Sequence, residues 1–71
     1  MKRFLRYSLE HGRKIRSVLL LDGKMVQRTL LVLEEDECAI TALVGSGKKP
    51  RNIPLEDILS CDYARGDHGE E

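Results

Sequence analysis

The chain has 71 residues, 41% of them hydrophobic and 34% charged, and its formal net charge at pH 7 is zero. So short a chain forms one domain that buries only about 60% of its unfolded surface, which favours added stability from self-association. A net charge of zero disfavours a protein that coats nucleic acid. Two cysteines and two histidines are too few for a structural zinc site. No apolar run approaches the about 20 residues that a membrane-spanning helix needs.

The charges fall into alternating blocks along the chain. Residues 1–30 carry eight Lys or Arg and two acids, and residues 31–45 carry four acids and no base. Residues 46–55 then carry three bases, and residues 56–71 carry six acids and one Arg. Such blocks suit docking between identical chains and also permit a local basic face.

The N-terminal half predicts a helix followed by a hairpin. Residues 2–11 form a short amphipathic helix in this interpretation, with Gly12 ending it, and so short a helix must pack on the sheet to be stable. The strongest signal is Asp22-Gly23 between the apolar strands 14–21 and 24–33, because both residues tolerate positive φ.

The C-terminal half predicts three further strands around polar turns. In chain order, the sequence predicts an exposed turn at 34–37, a strand at 38–44 and an edge strand at 49–53. A helical turn at 54–57 and a last strand at 58–63 follow. Together with the helix they predict a mainly β fold, a small five-stranded bent antiparallel barrel in one domain over residues 1–63. The polar residues 64–71 are expected to be a disordered tail.

Two families share features with this pattern. Residues 51–58, Arg-Asn-Ile-Pro-Leu-Glu-Asp-Ile, resemble the closing motif of WYL-domain proteins, and the similarity extends over residues 5–62 through the Asp22-Gly23 turn. The strand that carries the Trp-Tyr-Leu triplet in that family here reads Cys-Ala-Ile-Thr-Ala over residues 38–42. The helix followed by five strands also resembles the Sm-like RNA-binding barrels. These resemblances imply an Sm-like fold and a regulatory role in sensing a nucleic-acid or nucleotide ligand.

The loops differ from those with which Sm-like barrels bind RNA. That family uses a polar loop between strands two and three and an Arg-Gly element between strands four and five. Here the first loop is the acidic segment 34–37, and Arg65-Gly66 follows the last predicted strand. The resemblance therefore implies the fold more directly than the binding site.

No residue pattern predicts catalysis, a metal or a cofactor. The segment 45–49, Gly-Ser-Gly-Lys-Lys, lacks the first glycine and the Ser or Thr of a phosphate-binding loop, and Pro50 prevents the helix that should follow. Cys38 and Cys61 lie in predicted apolar strands, where thiols usually pack without reacting, and whether they form a disulfide is left open. The chain is thus predicted to be a non-enzyme, and the absence of a signal-peptide pattern predicts a cytoplasmic location.

The remaining functional candidates are basic residues. Lys14, Arg16 and Arg28 are expected to share one side of the first β-ribbon, where they would bind phosphate. The full predicted ligand-binding set is Arg13, Lys14, Arg16, Arg28, Lys48, Lys49 and Arg51. We therefore predict a non-catalytic binding or regulatory module for RNA or a nucleotide. The alternative is a homo-oligomeric interaction or assembly module without a nucleic-acid ligand, which associates through strand edges and apolar surface.

Overall fold

The computed structural model describes residues 2–64, which form one helix and one antiparallel sheet with the strand order β4-β3-β2-β1-β5. The elements in chain order are α1 (Lys2–His11), β1 (Ile15–Leu21), β2 (Lys24–Glu35), β3 (Ala39–Val44), β4 (Arg51–Pro54), a 3₁₀ turn (Leu55–Asp57) and β5 (Ile58–Tyr63). The predicted mainly β fold with an N-terminal helix and five strands is confirmed, although the sheet is open rather than a closed barrel. Of the predicted disordered tail, residues 65–71 lie outside the described residues.

The first hairpin has the predicted two-residue turn. Asp22 and Gly23 both have positive φ, 54° and 80°, as a type I′ turn requires. This turn pairs Leu21 with Lys24 and sets the register down to Ile15 opposite Leu30. The side chains of β1 therefore alternate between an inner face, which α1 covers, and an outer face.

The turn between β2 and β3 is shorter than the predicted 34–37 segment. The strand β2 continues through a register shift between Val32 and Glu34 and ends at Glu35. Asp36 Oδ1 then accepts hydrogen bonds from the Cys38 and Ala39 N–H groups, both at 2.8 Å. Because this carboxylate holds Cys38 in the turn, the residue is exposed, and its predicted place in a packed strand is wrong.

The core lies between α1 and the inner face of the sheet. Its fully buried large side chains are Leu5 of α1 and Ile15, Leu19, Leu30 and Ile40 of the sheet. Polar and aromatic contacts also attach α1 to the strands. Ser8, itself fully buried, accepts a hydrogen bond from the Val32 N–H at 2.9 Å, and the rings of Phe4 and Tyr7 pack edge-on against Tyr63 of β5 with centroids 4.9 and 5.2 Å away.

The last part of the chain follows the sequence prediction closely. The strand β4 is an edge strand, and Pro54 at its end begins the predicted helical turn before β5. Pro50, which was predicted to lie inside β4, precedes it instead. Within residues 2–64, the structure contains no helix with the length and apolar character needed to cross a membrane.

Candidate functional site

The register of the first hairpin separates two of the predicted ligand-binding residues. Arg16 lies opposite Thr29, whereas Arg28 lies opposite Ser17. Because directly paired residues of an antiparallel sheet share a face, Arg16 lies on the outer face and Arg28 on the inner face. The prediction that Lys14, Arg16 and Arg28 share one side of the ribbon is therefore wrong.

The basic residues at the start of β1 form one group, and part of its charge is compensated. Arg13 and Lys14 are exposed in the connection between α1 and β1. The Arg16 guanidinium lies 3.5 Å from the Asp62 carboxylate, and its Nε donates to the Tyr63 carbonyl at 3.2 Å. Both side chains of this ion pair are largely exposed, so it adds little stability, but it lowers the positive charge available to a ligand.

The second group of basic residues surrounds the connection between β3 and β4. The Gly45 N–H donates to the Thr29 carbonyl at 2.8 Å, which places this connection beside β2. A Cβ atom at Gly45 would lie 3.9 Å from Cδ of Arg28, so the Arg28 side chain lies beside the first residue of the connection that carries Lys48 and Lys49. The Arg28 guanidinium donates to the Gln27 carbonyl at 2.8 Å. Arg51 follows at the start of β4. We call these four exposed cations, Arg28, Lys48, Lys49 and Arg51, the basic loop surface.

The segments that form this surface are free of acids. Residues 23–33 and residues 38–55 contain five Lys or Arg and no Asp or Glu. Among the described residues, the ion pairs involve Arg6 and Arg16, neither of which belongs to the basic loop surface. Arg51 nevertheless shares a hollow of about 110 Å³ with Asp22 and Asp57, so the charge most available to an anion is that of Arg28, Lys48 and Lys49. Even with Arg51, four cations make only a small electrostatic footprint.

The basic residues of α1 face the acidic end of β2. Arg6 lies 3.6 Å from the Glu35 carboxylate, whose side chain is only 8% exposed. A groove of about 200 Å³ between them is lined by Lys2, Arg6, Glu35, Asp36 and Glu37. The first two charge blocks of the sequence thus meet within one chain, which weakens the case for docking between copies through these blocks.

A shallow groove of about 390 Å³ lies along the exposed side of α1. Its lining consists of Lys2, Arg3, Arg6, Tyr7, Glu10 and His11. The Arg3 guanidinium stacks on the Phe4 ring at 5.0 Å, and Arg6 is paired with Glu35. Because Arg6 is paired with an acid and Glu10 adds a negative charge to the lining, the groove is a weaker anion site than the basic loop surface.

Nucleophilic and metal chemistry have little support among the described residues. Burial raises the pKa of the Cys61 thiol, against a smaller opposing contribution from its contact with the Ser17 hydroxyl at 3.8 Å, so the thiol is neutral and weakly nucleophilic at pH 7. Cys38 and Cys61 are both free. Within residues 2–64, no three His, Cys, Asp or Glu side chains are grouped closely enough to hold a metal ion.

Comparison with protein-family models, with curated proteins and with solved structures finds no match for this chain. The resemblance to WYL-domain and Sm-like proteins therefore stays a prediction. The case for function depends on the geometry of the chain itself.

The β2–β3 turn gives a prediction for the dependence of stability on pH. Hydrogen bonds from the Cys38 N–H and then the Ala39 N–H lower the pKa of Asp36. The pKa of Asp36 in the folded chain therefore lies below its value of about 3.9 in the unfolded chain. The ionised carboxylate stabilises the fold fully above the unfolded pKa, and this stabilisation is lost as the pH falls through the folded pKa. We expect Asp36→Asn to lower the urea midpoint at pH 7, and the difference from wild type to shrink towards zero near pH 2. An equal difference at both pH values would contradict this account.

Proposed function

We propose that the chain is a non-catalytic binding module that holds a phosphate-bearing ligand, an RNA strand or a nucleotide, on the basic loop surface. The observation that carries the proposal is the position of Arg28 beside the connection that bears Lys48 and Lys49. Lys and Arg side chains that neutralise phosphates release counterions, which supplies affinity without any reading of sequence. The proposal includes a cytoplasmic location, which two free thiols favour.

The aromatic residues indicate how such a ligand would be held. Phe4, Tyr7 and Tyr63 are the only aromatic residues of the chain, and their rings pack on each other between α1 and β5. None of them belongs to the basic loop surface, so bases have no ring there on which to stack. We therefore expect contacts to phosphate to dominate, with weak sequence preference and strong dependence on salt.

A titration with labelled single-stranded RNA at several salt concentrations tests the proposal, with ATP as the nucleotide probe. Four phosphate contacts predict that log K falls with log[salt] with a slope of about −3 between about 50 and about 200 mM salt. The double variant Lys48→Ala with Lys49→Ala removes two contacts, so we expect a slope shallower by about 1.4.

The matched control removes two lysines elsewhere. Lys2→Ala with Lys14→Ala changes the net charge by the same amount but leaves the basic loop surface intact, and should bind RNA nearly as wild type does. Equal losses in the two double variants would assign binding to net charge and overturn the proposed site. Absence of RNA and ATP binding at low salt would overturn the function itself.

The second candidate function is a protein-interaction or homo-oligomeric assembly module without a nucleic-acid ligand. The observation that favours it is exposed apolar surface in so small a domain. Met25 is 69% exposed, and Leu59 and Leu33 are 43% and 40% exposed. Contiguous apolar patches on soluble proteins commonly mark interaction sites. Light scattering over a range of concentrations tests this candidate.

A further inference from the structure

The outer face of the sheet is unusually apolar for a face that no other element of the described chain covers. Val18, Leu20, Leu31 and Leu43 are only partly buried, and they are not among the side chains that pack against the core. Leu20 lies directly opposite Met25, and Leu31 directly opposite Leu43. A solvated face of an antiparallel sheet normally carries polar side chains at such positions.

The apolar residues near the first hairpin form a continuous group. Leu20 and Met25 are cross-strand neighbours, and Val18 lies two residues from Leu20 on the same face. Leu59, the extra residue where the pairing of β5 with β1 shifts, is exposed beside them. We call Val18, Leu20, Met25 and Leu59 the outer patch.

The free edge of β4 is a poor site for a further strand. The Leu55 N–H donates to the Cys38 carbonyl at 2.8 Å, so by alternation Pro54 and Asn52 direct their main-chain groups away from β3. Every second residue, Pro50, Asn52 and Pro54, directs its main-chain groups to this free edge. Pro50 and Pro54 have no N–H to donate. Two of three positions on this edge thus lack a donor.

The free edge of β5 is also partly occupied. The Tyr63 N–H donates to Asp62 Oδ1 at 2.7 Å, and its carbonyl accepts from Arg16. The Ile58 N–H donates to the Leu55 carbonyl. Association through either strand edge is therefore disfavoured, which leaves the outer face as the surface for a partner.

Within the described residues, α1 covers the inner face of the sheet and no element covers the outer patch. Residues 65–71 read Arg-Gly-Asp-His-Gly-Glu-Glu and contain no apolar side chain. Met1 precedes α1, which packs on the opposite face of the sheet.

The same face carries both a protruding side chain and a hollow able to receive one. Met25 protrudes from β2, and a hollow of about 190 Å³ lies further along the same three strands. Its lining is Arg16, Ser17, Val18, Gln27, Ser60, Cys61 and Asp62. In a contact with twofold symmetry, the same surface of each copy must supply both the protruding side chain and the hollow that receives it. The outer face supplies both. The one ion pair in the hollow joins Arg16 and Asp62, so two copies would meet without net repulsion there.

We propose that the outer patch is a docking surface for a second copy of this chain, with each Met25 in the hollow of its partner. This proposal deepens the second candidate function and is independent of phosphate binding. A face of three strands about 14 Å wide and about 20 Å long covers about 300 Å² on each copy. That area lies well below the standard interface size, so the dimer is weak and forms only at high protein concentration.

Sedimentation of the full chain from about 10 µM to about 1 mM tests the proposal. Wild type should pass from monomer to dimer over this range. Met25→Asp places a charge in the contact and should weaken the dimer at least about tenfold, because an unpaired buried charge is costly. The matched control is Lys24→Asp, the adjacent exposed residue on the inner face, which should dimerise as wild type does.

The possible outcomes separate this proposal from the phosphate-binding one. A monomer throughout the range, or equal dimerisation of wild type and Met25→Asp, would overturn the docking surface. Loss of the dimer in Lys24→Asp as well would show that the outer face is not the contact. Leu59→Lys provides the same test if Met25→Asp fails to fold. RNA binding by Met25→Asp should equal that of wild type, so a failure of one proposal leaves the other measurable.

Discussion

Leu30→Ala should remove about 2–5 kcal/mol from the free energy of unfolding, the largest loss that we expect from any single substitution discussed for this chain. Leu30 is fully buried on the inner face, directly opposite Ile15 of β1 and Val44 of β3. It therefore lies where the three central strands meet. A shorter side chain there leaves a cavity that strands held in a hydrogen-bonded sheet close only in part.

The total stability of so small a domain makes this loss severe. At about 0.05–0.15 kcal/mol per residue, a domain of this size has about 4–10 kcal/mol in all. We expect the urea midpoint, followed by circular dichroism, to fall by roughly half or the variant to be unfolded in water. The control is Leu33→Ala in the same strand, where the side chain is 40% exposed and the loss should stay below about 1 kcal/mol. Equal losses at the two positions would contradict the assignment of the core.

The sequence was sufficient for those elements whose signals are local. The helix 2–11, the Asp22-Gly23 turn and the strand 58–63 have the predicted bounds because glycine at positive φ and the apolar pattern act within a few residues. The separation of Arg16 from Arg28 was also within reach. A two-residue turn at 22–23 pairs Leu21 with Lys24, and counting back from this pair places Arg28 opposite Ser17.

Other features depend on parts of the chain that are distant in sequence. The register shift after Val32 carries Glu35 towards Arg6 of α1, and no local pattern predicts such a shift. Tyr7 is buried because the ring of Tyr63, 56 positions later, packs against it. The position of Arg28 beside Gly45 likewise requires the pairing of β2 with β3. The candidate site was therefore predictable as a set of residues but not as a surface.

Ser8→Ala should lower the free energy of unfolding by about 1–3 kcal/mol, although it removes a single oxygen atom. The strand β1 begins at Ile15, which lies opposite Leu30 of β2. Because β2 continues past this pair, the Val32 N–H has no partner in β1. The fully buried Ser8 hydroxyl accepts this N–H at 2.9 Å and thereby ties α1 to β2. An alanine leaves the amide buried without an acceptor, which costs more than a hydrogen bond exposed to water.

A global measurement alone would not distinguish this bond from loss of packing, so the test uses two readouts. Hydrogen exchange should show faster exchange at the Val32 amide in Ser8→Ala than the global loss of stability explains, because the bond that protects the amide is gone. Ser46→Ala, in the exposed β3–β4 connection, is the control. It should change neither the free energy of unfolding nor the free energy of opening at the Val32 amide by more than about 0.5 kcal/mol. Unchanged protection of Val32 in Ser8→Ala would show that the hydroxyl is not its acceptor. The attachment of α1 to the sheet would then depend on Leu5, the aromatic rings and the ion pair between Arg6 and Glu35.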